Sequence, residues 1–399
     1  MQRISADVTV IGAGPAGLAA AIALAAAGVS VALVGSPTSD HRTTALLGAS
    51  VTALETLGVW QRCRDEAAPL KVMRIIDDTR RLWRAPEVRF SCDEIGLDAF
   101  GWNIENRALV AALAAAVQDC SAARWLQAQA LAIDLGVDSV DVRLDDESVI
   151  TTRLLVGADG RRSICRSAAG IETDGWSYPQ VAMTYNLTHS RPHSDISTEF
   201  HTEHGPFTLV PLPGRRSSLV WVAAPDEALR VGALDEQALA EEIERHSHSI
   251  LGKVTVDPGR GAFPLAAESA RNFAAHRVVL VGEAAHAMPP IGAQGFNLSL
   301  RDVATAAELV AQAHRHGGDP GGHAVTEAYD AARRGDAISR KFAIDLLNRS
   351  LLSDLLAVQG LRGLGLYLLD RVGPLRRALM REGLAPAASA PRLMRGEML

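Results

Sequence analysis

The chain opens on a short apolar run, Asp7-Val-Thr-Val-Ile11, rich in β-branched residues and stopped by Gly12. A run of this length bounded by glycine predicts a buried strand. Pro15–Ala27 is alanine-rich with proline at its first position, which predicts a helix. Val29–Val34 then reads as a second buried strand. No charged residue occurs from position 8 to position 39. A membrane span needs about 20 continuous apolar residues. Here glycines and Pro15 split the stretch into strand, turn, helix and strand, so a span is rejected. Asp7 argues against a secretory signal.

Beyond this unit, Thr43–Leu57 reads as a helix with Ala45, Leu46, Ala49, Ala53, Leu54 and Leu57 on one side, ending at Gly58. Val72–Asp77 reads as a strand and Asn106–Val117 as an amphipathic helix. Short strands follow at Trp125–Ile133, Ser139–Leu144 and Leu154–Val156. From Val181 to Val222 the pattern alternates, with turns at Pro192, Gly205-Pro206 and Pro213-Gly214. That predicts an inserted antiparallel sheet. Leu234–His246 reads as a helix and Arg277–Val281 as a buried strand. Leu298–Leu384 is mostly helical in pattern, with a break at His316–Gly322. The Ala/Pro-rich tail from Ala385 reads as loose.

The bulk numbers exclude more than they specify. A chain of 399 residues buries a large core and predicts two domains. The net charge of −6 gives no basic surface for nucleic acid. The four cysteines, Cys63, Cys92, Cys120 and Cys165, form no C-x-x-C pair, which fits a reducing cytosol and no metal site. His246-Ser-His248 and His314-Arg-His316 lack further nearby ligands and read as solvated surface histidines.

Three separated segments carry the chemistry. Gly12-Ala13-Gly14-Pro15-Ala16-Gly17 lies in the strand–turn–helix setting that a G-x-G-x-x-G match requires. Its glycines let backbone approach a pyrophosphate, and the helix N-terminus offers N–H groups to it. The second strand departs from the pattern: Gly35 stands where a ribose-binding acid is expected, and Asp40 is the nearest acid. If the strand end keeps the usual geometry, Gly35→Glu should tighten the dinucleotide. Leu154-Leu-Val156 feeds Gly157-Ala158-Asp159-Gly160, which alone is an ordinary Asp-Gly turn. Val278-Val-Leu-Val281 feeds Gly282-Glu283-Ala-Ala-His286 and the loop Met288–Asn297, before a helix carrying Asp302. An acid at a strand end can take a ribitol hydroxyl. A Pro/Gly loop can lie along a ring system, with a helix N-terminus aimed at its anionic edge. His286 reads as a packed or solvent-facing side chain rather than a base.

With these segments in place, the chain resembles the single-component FAD aromatic hydroxylases of the p-hydroxybenzoate hydroxylase superfamily, and within it the ubiquinone-biosynthesis branch. The closer match rests on Asp40-His-Arg42-Thr-Thr-Ala-Leu46, Leu57-Gly-Val-Trp60 and Gly101–Asn106. It rests further on Gly205-Pro-Phe207 with Pro211-Leu212, Leu219-Val-Trp221, Ala293–Asp302, and Tyr329 with Arg333, Arg334 and Asp336. The resemblance implies an α/β fold: a Rossmann-like FAD-binding domain with an inserted, mainly antiparallel substrate domain and C-terminal helices. The boundaries expected are 1–71, 98–172 and 270–350 for the FAD domain, 72–97 and 173–269 for the substrate domain, and 351–399 for the C-terminal helices and tail.

The resemblance also implies roles. Gly12, Ala13, Gly14, Pro15, Ala16 and Gly17 would meet the pyrophosphate. Arg42 and Arg107 would contact the phosphate and ribityl region, and Asp159 would serve FAD and the pyridine nucleotide. Gly282 and Glu283 would take the ribitol, while Pro290, Gly292, Gln294, Gly295, Phe296 and Asn297 would line the isoalloxazine. Glu283 stands for the usual aspartate, and Ala293 and Ser299 for glycines. No catalytic side chain is singled out.

The activity implied is hydroxylation of a prenylated phenol, with NADH or NADPH as donor and a flavin C4a-hydroperoxide as oxygen carrier. The rival readings are a flavin-dependent isoprenoid reductase and an FAD-binding scaffold subunit without activity. The resemblance admits a ubiquinone-biosynthesis complex and a peripheral contact with the inner membrane face. Leu361, Leu364, Leu368, Val372 and Leu375 recur at helical spacing among Arg362, Arg371, Arg376, Arg377 and Arg381, as on a membrane-surface helix. The same pattern fits a packed helix pair with a solvated basic face.

Overall fold

The first apolar run becomes the centre of a parallel sheet in the computed structural model, which describes residues 2–38, 40–79, 84–290, 292–336, 365, 367, 371–383 and 390–399. Arg3–Ile11 pairs in parallel with Val31–Val34 on one side and Val149–Gly157 on the other. Val278–Leu280 and Ala123–Leu126 extend the sheet outward, also in parallel. Val8, Val10, Leu33, Leu154 and Val279 are all buried, as expected where helices cover both faces of a parallel sheet. The helix Pro15–Ala26 packs against Asn106–Gln118 and Gln294–Arg315.

The second sheet has nine strands and is mainly antiparallel. Thr173–His189 runs through its middle, between Arg216–Ala223 and Gly261–Ala270. Ile196–Thr202 pairs antiparallel with Gly205–Leu212 and parallel with Val72–Asp77. One face carries Met183, Tyr185, Phe200, Phe207, Leu219 and Trp221. It packs with Ala228, Val231, Leu239 and Ile243 of the helices Pro225–Gly232 and Glu236–His246. The other face turns toward the first domain. A small sheet of Thr43–Leu47, Gly101–Glu105 and Ala67–Leu70 lies between the two.

Several sequence expectations are corrected. Thr43–Leu57 is not one helix: Thr43–Leu47 is a strand, and the helix is Gly48–Thr56. Helical spacing and strand burial both place Leu46 inside, so periodicity could not separate them; pairing with Gly101–Glu105 decides. The helix expected at Leu234–His246 starts at Glu236, where the Asp235 side chain accepts from the Ala238 N–H at 2.8 Å. A separate helix, Pro225–Gly232, precedes it. Trp125–Ile133 resolves into Ala123–Leu126 and Ala130–Leu135, and Leu154–Val156 is the end of the strand Val149–Gly157.

Within Leu298–Leu384, the described residues hold the helix Gln294–Arg315, a helical stretch at 323–336 and the helix Gly373–Gly383. Positions 337–364, including Leu361, Arg362 and Leu364, lie outside the described residues, as do Leu368 and 385–389. The end of the tail is not loose. Leu393 is 1% and Met394 6% exposed, both in the main core, against the helix Gly48–Thr56. The Arg392 N–H donates to Glu308 at 3.0 Å. Two buried apolar side chains outweigh the Ala/Pro-rich composition around them.

Leu393→Ala should therefore lower stability by about 2–5 kcal/mol, the range for a fully buried leucine. Thermal or urea unfolding checks this, and an unchanged midpoint would show that the tail contributes nothing to the core.

Candidate flavin site

The three glycine segments meet backbone against backbone. Gly12 has φ +107°, and a Cβ built on it would lie 2.3 Å from the Ala158 carbonyl oxygen. A Cβ on Gly17 would lie 1.8 Å from the Gly12 carbonyl oxygen. The Ala158 N–H donates to Ile11 at 2.8 Å, and the Val281 N–H to Gly157 at 2.9 Å. Gly282, at φ +62°, nests between Ala16 and Ser299. These glycines are packing requirements. Gly14 is different: a Cβ there would meet only Thr38 Oγ1, at 3.9 Å. Gly14 also precedes the helix Pro15–Ala26 with no side-chain cap, so the first-turn N–H groups stay open to an anion. That open cradle fits a pyrophosphate.

Gly35 does not have the usual strand-end geometry. Its φ is +137°, and a Cβ would come 2.9 Å from the Ala13 nitrogen. Trp125 Nε1 donates to its carbonyl at 2.9 Å. The backbone here is shaped for glycine, so the condition under which Gly35→Glu was expected to tighten FAD is not met.

Arg42 lies over the Phe263 ring, 5.1 Å from its centroid, and donates through Nε to Asp40 at 2.7 Å. Burial alone would raise the Asp40 pKa, but hydrogen bonds from Arg42 and Asn106 hold it below the usual value. The Arg42 guanidinium is held charged by Asp40 and also feels Glu283. Glu283 sits 3.7 Å from Arg161. The structure thus brings Arg42, Glu283 and the 157–161 turn to one region. Arg107 is exposed and paired with Glu105. Asp159 is turned inward: it accepts from Ser163 Oγ at 2.6 Å and from the N–H groups of Ile164 and Cys165 at 2.8 and 3.2 Å. It caps the helix Ile164–Ala168.

The loop beyond His286 is suspended between the domains. His286-Ala287 pairs with Glu268-Ser269 of the large sheet, and eight residues on from Ala287 the chain is already in the helix Gln294–Arg315. Asn297 ties the helix start to the small sheet, donating to the Ala45 carbonyl at 2.7 Å and accepting from the Leu47 N–H at 2.9 Å. Ala293 caps this helix at φ +55°, with no side-chain cap. An alanine there is strained by roughly 1–2 kcal/mol relative to glycine. Pro290, Gly292, Gln294, Gly295 and Phe296 flank this open helix end. Here a flavin's anionic edge would meet the positive end of the helix dipole.

Beneath the loop lies a buried network whose role the sequence did not disclose. Asp302 is fully buried and accepts from His286 Nε2 at 2.6 Å, from the Gly282 N–H at 3.0 Å and from Arg333 Nε at 2.8 Å. Burial would push its pKa up, but the adjacent His286 and Arg333 and these hydrogen bonds hold it below the ordinary value. Tyr329 donates to the Leu280 carbonyl at 2.7 Å. The signal was present only as the Tyr329–Asp336 motif and Asp302, and sequence separation hid their meeting.

A family described as FAD binding domain matches residues 5–338. Ubiquinone hydroxylase UbiL of Rhodospirillum rubrum is 35% identical over 98% of this chain and 93% of its own length. The chain belongs to the FAD-dependent hydroxylases of the ubiquinone-biosynthesis branch. The Escherichia coli 3-demethoxyubiquinol 3-hydroxylase is 29% identical, covering 96% of this chain and all of its own. Among solved structures, p-nitrophenol 4-monooxygenase from Pseudomonas putida superposes with TM-score 0.78 at 19% identity, over 96% of this chain and 99% of its own. It shares the fold. The hydroxylase is thus an FAD-dependent monooxygenase with the mixed α/β architecture of its family.

Gly35→Glu should weaken FAD at least tenfold, about 1.4 kcal/mol, because the side chain collides with Ala13 and the backbone must leave φ +137°. Fluorescence titration reads it; equal or tighter binding would refute the steric account. Asp302→Asn should destabilise the fold by about 1.5–3 kcal/mol, because the charge-assisted bonds from His286 and Arg333 are lost and Arg333 keeps its pair with Asp336. The sign with pH follows from the lowered folded pKa. The carboxylate stabilises above its unfolded value of about 3.9, and that contribution is lost as pH falls through the folded value. Urea unfolding of both proteins should show the difference shrinking below about pH 4. A constant difference would mean the charge is not what stabilises.

Proposed function

We propose that this flavoprotein hydroxylates the aromatic ring of a prenylated phenol in ubiquinone biosynthesis, using O2 and electrons from NADH or NADPH. The observation that carries the reading is the juxtaposition of the suspended flavin loop with the free face of the large sheet. Gly12–Gly17 would hold the pyrophosphate, Arg42 and Glu283 the middle of the cofactor, and the loop Pro290–Asn297 its ring. When bound and reduced, the flavin supplies the oxygen-activating chemistry. The protein's part is to hold the phenol ring over it and exclude water. The relatives named for ubiquinone hydroxylation support the substrate class. Gly35 gives no support to the scaffold reading, because the backbone there is shaped for glycine.

The test is NAD(P)H oxidation under 18O2 with a prenylated phenol. One labelled oxygen in the product supports the hydroxylase. Unlabelled product with a saturated isoprenoid bond would favour the reductase, and no oxidation the scaffold.

The proposal extends to a peripheral membrane contact through the helix Gly373–Gly383. Met380 of this helix is buried against Val88 and Phe90, and Arg376 pairs with Glu94 at 2.6 Å. Leu375 is 47% and Val372 39% exposed, beside Arg377 and Arg381. Substrate would be delivered there, from lipid or from a docked ubiquinone-biosynthesis complex. Among the described residues no helix is long and apolar enough to cross a membrane. Leu375→Asp should reduce flotation with anionic phosphatidylglycerol vesicles while leaving FAD bound; unchanged flotation would sink the membrane claim. Truncation after Leu351 would also strip Leu393 and Met394 from the core, so a point substitution is the cleaner probe.

A further inference from the structure

The free face of the large sheet carries a carboxylate–imidazole pair. Direct cross-strand partners share a sheet face. Ser218, Val220 and Val222 are partnered by Asn186, Thr184 and Ala182, and Val220 in turn by Thr208. Thr208 is opposite Glu199, and His201 opposite Asp77. Phe263 is opposite Ala182. This face is the one the FAD domain meets. Thr43 Oγ1 donates to Ser218 Oγ at 2.9 Å, Asn186 Nδ2 to the His41 carbonyl at 3.2 Å, and Arg42 covers Phe263. Glu199 and His201 therefore lie on the same side as the flavin loop, away from the apolar core under the two helices.

The pair is built. His201 Nε2 lies 2.7 Å from Glu199 Oε1, and Thr208 Oγ1 donates to Glu199 Oε2 at 3.3 Å. The His201 side chain is 5% exposed and that of Glu199 26%, so the carboxylate keeps an accessible edge. His201 Nδ1 is buried with no hydrogen-bond partner among the described residues. A buried imidazole with one free nitrogen is a poor structural element, and an acid held in place by it is suited to receiving a proton.

Resting on the hydroxylase reading, we propose that Glu199 is the general base that takes the phenolic proton of the substrate, with His201 as its positioning residue. Glu199 accepts a hydrogen bond from the neutral phenol through Oε2. As the ring gains oxygen, the phenol O–H bond breaks, its electron pair stays on the phenol oxygen, and the proton ends on Glu199, which becomes a carboxylic acid. Water removes that proton when product leaves. Other charges on elements against this face are already engaged. Asp77 accepts from Thr79 and Ala85, Glu105 pairs with Arg107 and Arg216, and Arg376 pairs with Glu94. Arg377 and Arg381 lie on the C-terminal helix that covers the far end of the face.

The test uses FAD-loaded enzyme and 4-nitrophenol, whose phenolate absorbs visibly. A carboxylate beside the hydroxyl disfavours phenolate. The bound probe should titrate about one pH unit higher than free probe in the wild type, and near the free value in Glu199→Gln. With a prenylated phenol, Glu199→Gln should lower kcat about 100-fold, and His201→Asn should lower kcat with little change in KM. Glu199→Asp keeps the charge and should retain part of the probe shift, which guards against misfolding of the glutamine variant. Saturable binding with the same probe pKa in wild type and Glu199→Gln overturns the assignment while leaving the hydroxylase reading intact. No saturable phenol binding to any of the proteins overturns the hydroxylase reading and the base with it.

Discussion

The buried carboxylate of Asp302 is the constraint on which the site depends. It lies in the helix Gln294–Arg315, yet its partners come from the Gly282 turn, from His286 and from Arg333. Each alone is a charge or dipole with no water to solvate it, and a lone buried ion is strongly unfavourable. Together, and with Asp336 on Arg333, they pair their charges, so the turn bearing Glu283 cannot shift without breaking the set. Glu283, the strand His286-Ala287 that enters the large sheet and the helix Gln294–Arg315 are thereby fixed in one frame.

A second constraint is steric. Gly12 and Gly17 let chain segments approach more closely than any side chain allows, and Gly282 packs tightly between Ala16 and Ser299. Within the first motif, Gly14 leaves space where a ligand would lie. A pyrophosphate would consequently be met here by backbone N–H groups held at fixed positions, and the residues that hold them do so by lacking atoms.

Much of this was legible in the sequence. The parallel core followed from short apolar runs, and the inserted sheet from alternation between Val181 and Val222. What was not legible depended on tertiary pairing. Thr43–Leu47 fits a helix or a strand by period, and only the distant Gly101–Glu105 strand selects. Gly35 looked like a missing acid because its left-handed backbone and the nearby Ala13 cannot be read from composition. Leu393 and Met394 were hidden in a tail whose average character is loose. Glu199 and His201 stood two apart in an alternating strand, which marks a shared face but not which face is free.

The two-sided character of the large sheet ties these points together. Period-two alternation sends Phe200, Phe207, Leu219 and Trp221 to one side and Glu199, His201, Thr208 and Val220 to the other. The first side is closed by helices and supplies stability. The second needs polar atoms in a partly buried place, which is destabilising unless each finds a partner. Thr43, Asn103 and Arg216 bind Ser218, Pro211 and Glu105 across the domain boundary and meet that demand near the small sheet. Farther along, Glu199 and His201 satisfy each other only in part, leaving one carboxylate edge and one ring nitrogen open. An incompletely satisfied pair on this face is where the fold would leave hydrogen-bonding capacity for a substrate.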